Sequence, residues 1–437
     1  MKTLIHATSY DFVQYKEDQY ITFDETILAT GPMEEYIPQG EETIDCQGHL
    51  VLPGFCLLHT HIYSTFARGL VLPTQIKTFQ DTLDQIWWKL DRNLDLSMVY
   101  HSGIVFAHQA LRHGITTLFD HHASGVILGS LDALNQAVVK TAGMRGCFCF
   151  ETSDRFSIPE CIEENQTFYQ RHQDAFSRGM FGLHSSLSLS DETLLEVKKQ
   201  LREMPIHIHV AESSYEQAMA QHHHHKRAVE RLEEFSLIQP HSLLVHGLFL
   251  SENEKKILKH RQAHVVVNPT SNQNNGVGFP TPIELNNEGI PVLIGNDGMS
   301  QAITPEYKSL YLLTKLKHFS PEAYSLDDLK SSIIQGYAYT NQCFNIQVGR
   351  IQSGYHSDLQ IIPYDYPTPL NQENIMGHLV YGMFDDWRPR DVLIQGIFRL
   401  RNGQNEVLLE TLYHQAKASA VACWNKIKED HHANDEI

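Results

Sequence analysis

The sequence predicts an α/β protein, a closed (β/α)8 TIM barrel joined to a smaller β-sandwich domain built from both chain ends. Between residues 55 and 345, eight short apolar runs alternate with longer segments of helical pattern, and this alternation indicates parallel β/α architecture. The segment has roughly the 250-residue size of such a barrel. Residues 1–54 and 346–405 are instead short strands punctuated by turns, so we expect them to pair into one second domain.

The eight predicted barrel strands are FCLLHTH (55–61), TTLFDH (116–121), GCFCFE (146–151), MFGLHS (180–185), IHIHVAE (206–212), LLVHG (243–247), AHVVVNP (263–269) and PVLIGND (291–297). Each is followed by enough residues for a helix. After the second domain, residues 406–437 have a helical pattern and form a C-terminal tail.

Composition and charge narrow the function classes. The 437 residues are 42% apolar and 20% charged, which is typical of a soluble globular protein. The formal net charge of −18 argues against a nucleic-acid partner, which needs a basic surface. The sequence shows neither a secretory signal nor an apolar run near the ~20 residues of a membrane span. Seven irregularly spaced cysteines indicate reduced thiols, so we expect a cytoplasmic protein.

Two histidine pairs lie in predicted barrel strands. His59 and His61 are two apart, so both face the same side of the first strand, and His207 and His209 do the same in the fifth. Neutral imidazole is a common zinc ligand, and catalytic groups of barrels lie at the carboxyl ends of the strands. An H-x-H pair alone is equally consistent with two polar residues at a strand end.

Three further polar residues end predicted strands. Glu212 lies just past the fifth strand, where its carboxylate could reach a metal-bound water, and taken alone it would be a solvated carboxylate. His246 ends the sixth strand and Asp297 the eighth. A buried carboxylate needs a partner or a metal. Histidines and carboxylates therefore end strands 1, 5, 6 and 8 at one rim, which predicts a metal site there.

The order H-T-H, H-V-A-E, a strand-ending histidine and N-D-G resembles the amidohydrolase superfamily, in its branch of cytosine, guanine and adenosine-type deaminases and chlorotriazine hydrolases. The similarity extends over nearly the whole chain and includes VLPGFCLLHTHIYSTFARGL, GLHSS, NPTSN and HSDLQIIP. Within the branch, the HTHIYSTFARG, TTLFDHHAS and DGM segments look closest to the aminohydrolases and chlorohydrolases associated with selenium-dependent purine catabolism.

The resemblance implies a role for each matching position. It implies one divalent metal, Zn²⁺ or alternatively Fe²⁺, whose ligands are His59, His61, His209 and Asp297, with His207 as the runner-up ligand. Glu212 and His246 would lie beside the metal-bound water, and His184 in GLHSS would contact substrate. Members with two metals carry a bridging lysine near the end of strand 4, and FGLHSSL has none, which favours a single metal.

The sequence also names candidates for the substrate pocket. Trp87 and Trp88 either stack on a planar substrate or pack within a helix, and one of His121 and His122 contacts substrate. Arg68 either holds a polar edge of the substrate or forms an ion pair within the fold.

A run of four histidines, His222–His225, is a different case. Successive residues on a helix are turned by about 100°, so the four rings cannot converge on one ion. The run precedes a helix whose buried stripe is Ala228, Leu232 and Phe235, and we expect a solvated patch that binds metal only adventitiously.

The resemblance implies an aminohydrolase that uses metal-activated water to break a C–N bond of a nitrogen heterocycle related to the purines. Its catalytic residues would be Glu212, His246 and Asp297. Two alternatives are hydrolysis of a cyclic amide or C–Cl bond with the same water, and a non-catalytic binding protein. We expect a small-molecule substrate, no nucleic-acid or membrane partner, and a homodimer.

Overall fold

The chain begins with a set of β-strands. The computed structural model describes residues 1–435. The first five strands are β1 (Lys2–Tyr10), β2 (Tyr15–Phe23), β3 (Ile27–Pro32), β4 (Glu42–Asp45) and β5 (Leu50–Pro53). The polypeptide then enters the barrel directly, because only Gly54 separates β5 from the next strand.

Nine parallel strands follow in the central segment. They are β6 (Phe55–Thr60), β7 (Ile115–His122), β8 (Arg145–Phe150), β9 (Ser177–Gly179), β10 (Phe181–Ser185), β11 (Ile206–Val210), β12 (Leu243–His246), β13 (His264–Val267) and β14 (Val292–Ile294). Eight of them coincide with the predicted apolar runs. The additional strand, β9, is three residues long and pairs with β8 just before β10.

Helices separate the barrel strands. They are α1 (Phe79–Thr82), α2 (Trp88–Arg92), α3 (Leu96–Leu111), α4 (Ser130–Asn135), α5 (Ile158–Arg171), α6 (Asp191–Leu201), α7 (Ser214–His224), α8 (Ala228–Glu234), α9 (Glu252–His260), α10 (Pro269–Asn275), α11 (Pro282–Asn287), α12 (Thr304–His318) and α13 (Leu326–Phe344). A π-helical turn over Leu83–Trp87 joins α1 to α2.

The strands close into a barrel, which confirms the predicted fold. Hydrogen bonds order them as β6-β7-β8-β9 and β10-β11-β12-β13-β14. Two isolated parallel bridges connect these sheets, Thr152 with Leu183 on one side and Thr60 with Asp297 on the other. Parallel strands place all their carboxyl ends at one rim. The chain therefore brings polar residues from distant positions together there.

The second domain combines both chain ends. After the barrel come β15 (Leu359–Ile362), α14 (Ile375–His378), β16 (Asp391–Ile394), β17 (Ile397–Arg401), β18 (Gln404–Asn405) and α15 (Val407–Asp435). The sheet order is β18-β17-β16-β15-β5-β1-β2-β3, with β4 also paired to β1. One edge of β1 pairs first with β4 and then with β5, so a single continuous sheet surrounds the domain's own apolar core.

The C-terminal helix α15 packs back on the barrel beside α3. The indole nitrogen of Trp424 donates a hydrogen bond to the carbonyl of Phe66 (2.6 Å), in the segment that follows β6. His108 and Glu410 form a second link between α3 and α15 (3.1 Å). Within residues 1–435, we find no helix whose length and hydropathy would let it span a membrane.

Candidate active site

Three histidines and one aspartate converge at the rim of the barrel. His59 lies in β6 and His209 in β11, His61 directly follows β6, and Asp297 lies three residues after the end of β14. One ligand atom from each lies within 4.8 Å of the others, which is the scale of one metal coordination sphere. His61 Nε2 is 3.2 Å from His209 Nε2 and 2.9 Å from Asp297 Oδ1.

The outer nitrogens of two of these rings are held by the backbone. His61 Nδ1 donates to the carbonyl of His121 (2.6 Å), and His209 Nδ1 donates to the carbonyl of His184 (3.0 Å). Each Nε2 therefore offers its lone pair to the centre of the cluster, and such outer hydrogen bonds are the usual support of metal-bound histidine.

His207, the runner-up ligand, has a different place. Its Nε2 shares a 2.8 Å hydrogen bond with His59 Nδ1, while its own Nδ1 lies 3.6 Å from Cys149 Sγ. The ring therefore supports His59 from behind and does not belong to the ligand cluster. His59 Nε2 then faces Asp297 Oδ1 at 3.4 Å and is buried with no hydrogen-bond partner among the described residues.

The charges of the cluster also fit a cation. Burial lowers the pKa of His59 to about 4, so this ring is a neutral donor of a lone pair. Burial opposes ionisation of Asp297, but hydrogen bonds with His59 and His61 hold its pKa well below the usual range. Although burial disfavours charge on His61, Asp297 raises the pKa of that ring to about 9. Without a metal, Asp297 therefore favours a proton on His61 Nε2, and metal binding would release that proton and free the lone pair of this nitrogen.

Glu212 and His246 lie next to this cluster. Glu212 Oε2 is 3.7 Å from His246 Nε2, and both side chains line the cavity above the four ligand candidates. His246 Nδ1 donates to the side-chain oxygen of Asn272 (3.0 Å), which leaves Nε2 free to accept a proton. Burial raises the pKa of Glu212, which brings the carboxyl closer to the range of a general acid and base at neutral pH.

The NPTSN segment holds two of the predicted catalytic side chains, His246 and Asp297. Besides the contact from Asn272, Ser271 Oγ donates to Asp297 Oδ2 (2.6 Å). Both residues are in the short helix α10, which follows β13. Sequence reasoning quoted this segment only for its similarity and gave it no role. Its polar residues immediately after a barrel strand were the available signal.

The backbone at the rim is strained where these residues lie. Ala211, His246 and Asp297 have φ values of 52°, 73° and 54°. Positive φ is uncommon for residues other than glycine, and such strain is concentrated at functional sites. The three positions follow or end β11, β12 and β14, and two of them, His246 and Asp297, line the cavity.

A partly open cavity lies above the cluster, and about 80 Å³ of it can be reached by the centre of a water-sized sphere. Trp87, Trp88 and His184 all line it. His184 is held by a hydrogen bond between its Nδ1 and Ser188 Oγ (2.5 Å). The Trp88 ring lies edge-on to His184 at 6.3 Å.

His121 and Arg68 do not line the cavity. His121 is fully buried under the cluster, and its Nε2 donates to the carbonyls of Leu183 (3.0 Å) and His207 (3.1 Å). The alternative, His122, is equally buried and hydrogen bonds Ser124. Both histidines end β7 facing structural partners, and neither is among the residues that line the cavity. A substrate contact by either of them stays a prediction.

Arg68 is held by two amide side chains, and a contact with substrate stays a prediction. Its guanidinium donates to the side-chain oxygens of Gln109 (2.9 Å) and Gln301. These amides bind it outside the cavity wall, and no carboxylate of the described residues forms an ion pair with it. Arg68 therefore ties the segment after β6 to α3 and to the loop after β14.

Two acidic residues that line the cavity were not predicted. Asp91 and Glu151 line it, and each is nearly fully buried. Arg155 joins them, since its Nη2 lies 2.9 Å from Asp91 Oδ2 and 2.9 Å from Glu151 Oε1. The guanidinium also stacks on Trp88, with 4.6 Å from Cζ to the ring centroid. These residues are up to 64 positions apart, so no local motif could have identified them.

A second unpredicted carboxyl group, Glu216, lies in the first turn of α7. Its Oε2 accepts a hydrogen bond from the backbone N–H of Glu212 (3.0 Å), and its buried Oε1 has no partner among the described residues. Burial raises the pKa of Glu216 to about 8. Glu216 therefore holds the backbone of Glu212 in place as a neutral acid at pH 7.

The raised pKa predicts a pH-dependent effect of Glu216→Gln on stability. Because the folded pKa lies above the ordinary 4.5, this group stabilises the fold fully below pH 4.5, and that contribution is lost as the pH rises towards 8. A glutamine still accepts the Glu212 N–H but cannot ionise. We expect the variant and the parent protein to have equal thermal midpoints at pH 4.5. Above this pH the midpoint of the variant should exceed that of the parent by an amount that grows up to pH 8. A difference that is constant across this range would contradict the assignment.

The four-histidine run lies apart from the cluster. His222–His224 form the last turn of α7, and His225 ends that helix with φ of 56°. The run therefore closes one helix, whereas the sequence pattern had placed it at the entrance to the next. His222, His223 and His225 are exposed. The metal-ligand cluster found among the described residues does not include any of them.

The profile of the Amidohydrolase family matches residues 50–397, which covers the barrel together with β5, β15 and β16 of the second domain. A 5'-deoxyadenosine deaminase of Methanocaldococcus jannaschii is 26% identical over 90% of this chain and 93% of its own.

Two solved structures share the fold. An adenosine deaminase from Xanthomonas campestris with bound zinc has a TM-score of 0.81 and 20% identity, covering 97% of this chain and 98% of its own. The atrazine chlorohydrolase TrzN from Arthrobacter aurescens, complexed with zinc, has a TM-score of 0.81 and 17% identity, covering 96% of this chain and 100% of its own. With the profile spanning most of the sequence, the chain belongs to the amidohydrolase family.

Proposed function

We propose that the protein is a metal-dependent aminohydrolase that deaminates an aminated nitrogen heterocycle of the purine type. One observation carries the proposal. Glu212 and His246 lie 3.7 Å apart beside the His59, His61, His209 and Asp297 cluster, inside one buried cavity. A non-catalytic binding protein would not need a carboxylate and an imidazole poised beside such a cluster.

The donor set of three neutral nitrogens and one carboxylate suits Zn²⁺, and we propose one zinc ion per chain. When bound, the metal supplies Lewis acidity, which lowers the pKa of a coordinated water to about 7. Zinc is bound in both solved structures described above, which supports the choice over Fe²⁺.

Glu212, His246 and Asp297 each have a separate role in the reaction. Glu212 takes a proton from the attacking water and delivers it to the ring nitrogen of the substrate, so that negative charge does not build up there. His246 orients the water through its free Nε2, because Asn272 occupies Nδ1. Asp297, fixed by Ser271, takes the remaining proton of the attacking water and passes it to the leaving amine. Loss of ammonia completes hydrolysis of the C–N bond.

The relative from Methanocaldococcus jannaschii, named a 5'-deoxyadenosine deaminase, supports a substrate related to adenosine. The narrower grouping with selenium-associated purine catabolism stays a prediction, as do the cytoplasmic location and the homodimer. Hydrolysis of a cyclic amide or a C–Cl bond remains the alternative chemistry, because the same side chains would serve it.

A substrate screen tests the proposal. Zinc-loaded protein is incubated with aminated purines and their nucleosides, pterins, hydantoins and chlorinated triazines, and released ammonia and chloride are measured separately. We expect ammonia from at least one aminated purine or its nucleoside. Chloride release or ring opening without ammonia would replace the deaminase assignment with the alternative.

A further inference from the structure

The cavity wall has an unusual balance of charge. Among the described residues that line it, none is lysine or arginine, and five are acidic: Asp91, Glu151, Glu212, Glu216 and Asp297. Glu216 is the neutral member of this set at pH 7, so the other four supply the negative charge when ionised. A divalent cation at the cluster would offset Asp297 and one further charge. Asp91 and Glu151, which are not among the ligand candidates, would keep their own negative charge when ionised.

Asp91 and Glu151, held by Arg155, form a polar wall of the cavity. Arg155 supplies one positive charge to the two carboxylates of Asp91 and Glu151, so the three together carry a net charge of −1 when ionised. Arg155 lines a neighbouring outer cleft rather than the cavity, and Trp88 stacks on it. The substrate therefore meets the carboxylates and the indole rather than the guanidinium.

Two carboxyl oxygens of residues that line the cavity have no hydrogen-bond partner among the described residues. Glu151 Oε1 binds Arg155, but Oε2 lies 3.7 Å from the nearest histidine nitrogen, His121 Nδ1, which is beyond hydrogen-bond distance. Glu216 Oε1 is buried and has no hydrogen-bond partner among the described residues. An unpaired buried polar atom is costly, and a ligand that hydrogen bonds it regains that free energy.

We propose that the cavity selects neutral or cationic substrates whose substituents donate hydrogen bonds to Glu151, and that it rejects substrates carrying a phosphate or a carboxylate. This inference rests on the proposed function, because it names the substrate class of the same site. A heterocycle with a hydroxylated sugar meets this requirement, because it is uncharged and its hydroxyl groups donate hydrogen bonds. The same compound bearing a phosphate does not meet it. Like-charge contacts in a buried site are strongly unfavourable, whereas rim charges would be screened by salt.

Binding of matched compounds tests the proposal without requiring turnover. Calorimetry on zinc-loaded protein compares adenosine with adenosine 5'-monophosphate, guanosine with guanosine 5'-monophosphate, and cytidine with cytidine 5'-monophosphate. We expect the neutral member of the best-binding pair to bind on the order of 10–100-fold more tightly. Equal or tighter binding of the phosphate overturns the proposal, and so does absence of binding by every compound.

Two variants test whether the wall causes the preference for the neutral compound over its phosphate. Glu151→Gln and Asp91→Asn each remove one negative charge, and in each the preference for the neutral compound should fall about tenfold or more. Glu163→Gln, an exposed position on α5, is the matched control and should leave the preference unchanged. Two variants are needed because either could disturb the fold, which circular dichroism and metal content monitor. An unchanged preference in a folded variant overturns the role of the wall.

The two proposals fail in different ways. If no compound releases ammonia while the neutral nucleosides still bind more tightly than the phosphates, the proposed function is wrong and the charge selection stands. If ammonia is released from a phosphate-bearing compound as fast as from its neutral partner, the deaminase assignment stands and the charge selection is wrong.

Discussion

Glu212→Gln should abolish most of the activity while leaving the metal in place. The amide has nearly the shape of the carboxylate but cannot accept and return a proton at neutral pH. Loss of one general acid–base group typically lowers the rate by about 10²–10⁴-fold. We expect at least this loss, since the same carboxyl group serves both the attack and the protonation of the ring.

The geometry explains why the fold should survive this change. The backbone N–H of Glu212, and not its side chain, donates to Glu216, so the variant keeps the hydrogen bond that holds the loop. Metal content and thermal midpoint should therefore remain close to those of the parent protein. Glu203→Gln, an exposed position before β11, is the control. Near-parental turnover would remove Glu212 from the mechanism, and loss of metal would recast it as a ligand.

His209→Ala should weaken metal binding sharply. The substitution removes one of the four candidate ligand atoms and leaves the carbonyl of His184 without its donor. Removing an outer partner of a metal ligand typically costs 10–100-fold in affinity, so loss of the ligand itself should exceed about 100-fold. Competition with a chromophoric chelator measures this affinity without any assay of activity.

The four-histidine run supplies the matched control. Replacing His222–His225 together by alanine removes more imidazole groups than His209→Ala does, yet it should keep the tightly bound metal and the activity. Three of the four side chains are exposed at the end of α7, where solvent already surrounds them. If the tetra-alanine variant loses the tight metal and His209→Ala keeps it, the metal centre has been misplaced.

The barrel could be predicted because its strands are buried on both faces. Such strands appear as short β-branched runs, and all eight predicted runs became barrel strands. Polar residues at their ends then had to meet at one rim, which brings the His59 and His209 rings together from 150 positions apart. The period of two along β11 could not distinguish a ligand from a supporting ring, however, because His207 and His209 face the same way.

The remaining features of the site depend on packing between distant segments. Whether His121 reaches the cavity is decided by its depth, since its ring lies below His61 and bonds two backbone carbonyls. The pairing of Arg155 with Asp91 depends on how the insertion before α3 folds over the barrel. The left-handed backbone at His246 and Asp297 breaks local preference, so propensity alone would not predict it.

We propose that a single metal-dependent site releases ammonia from an aminated heterocycle. The most direct test measures ammonia release by one preparation before metal removal, after chelation, and after titration with zinc, using the best substrate from the screen. We expect activity to disappear on chelation and to return in proportion to the added zinc until about one ion per chain is bound. Full activity in metal-free protein, or recovery only at two tightly bound ions per chain, would contradict it.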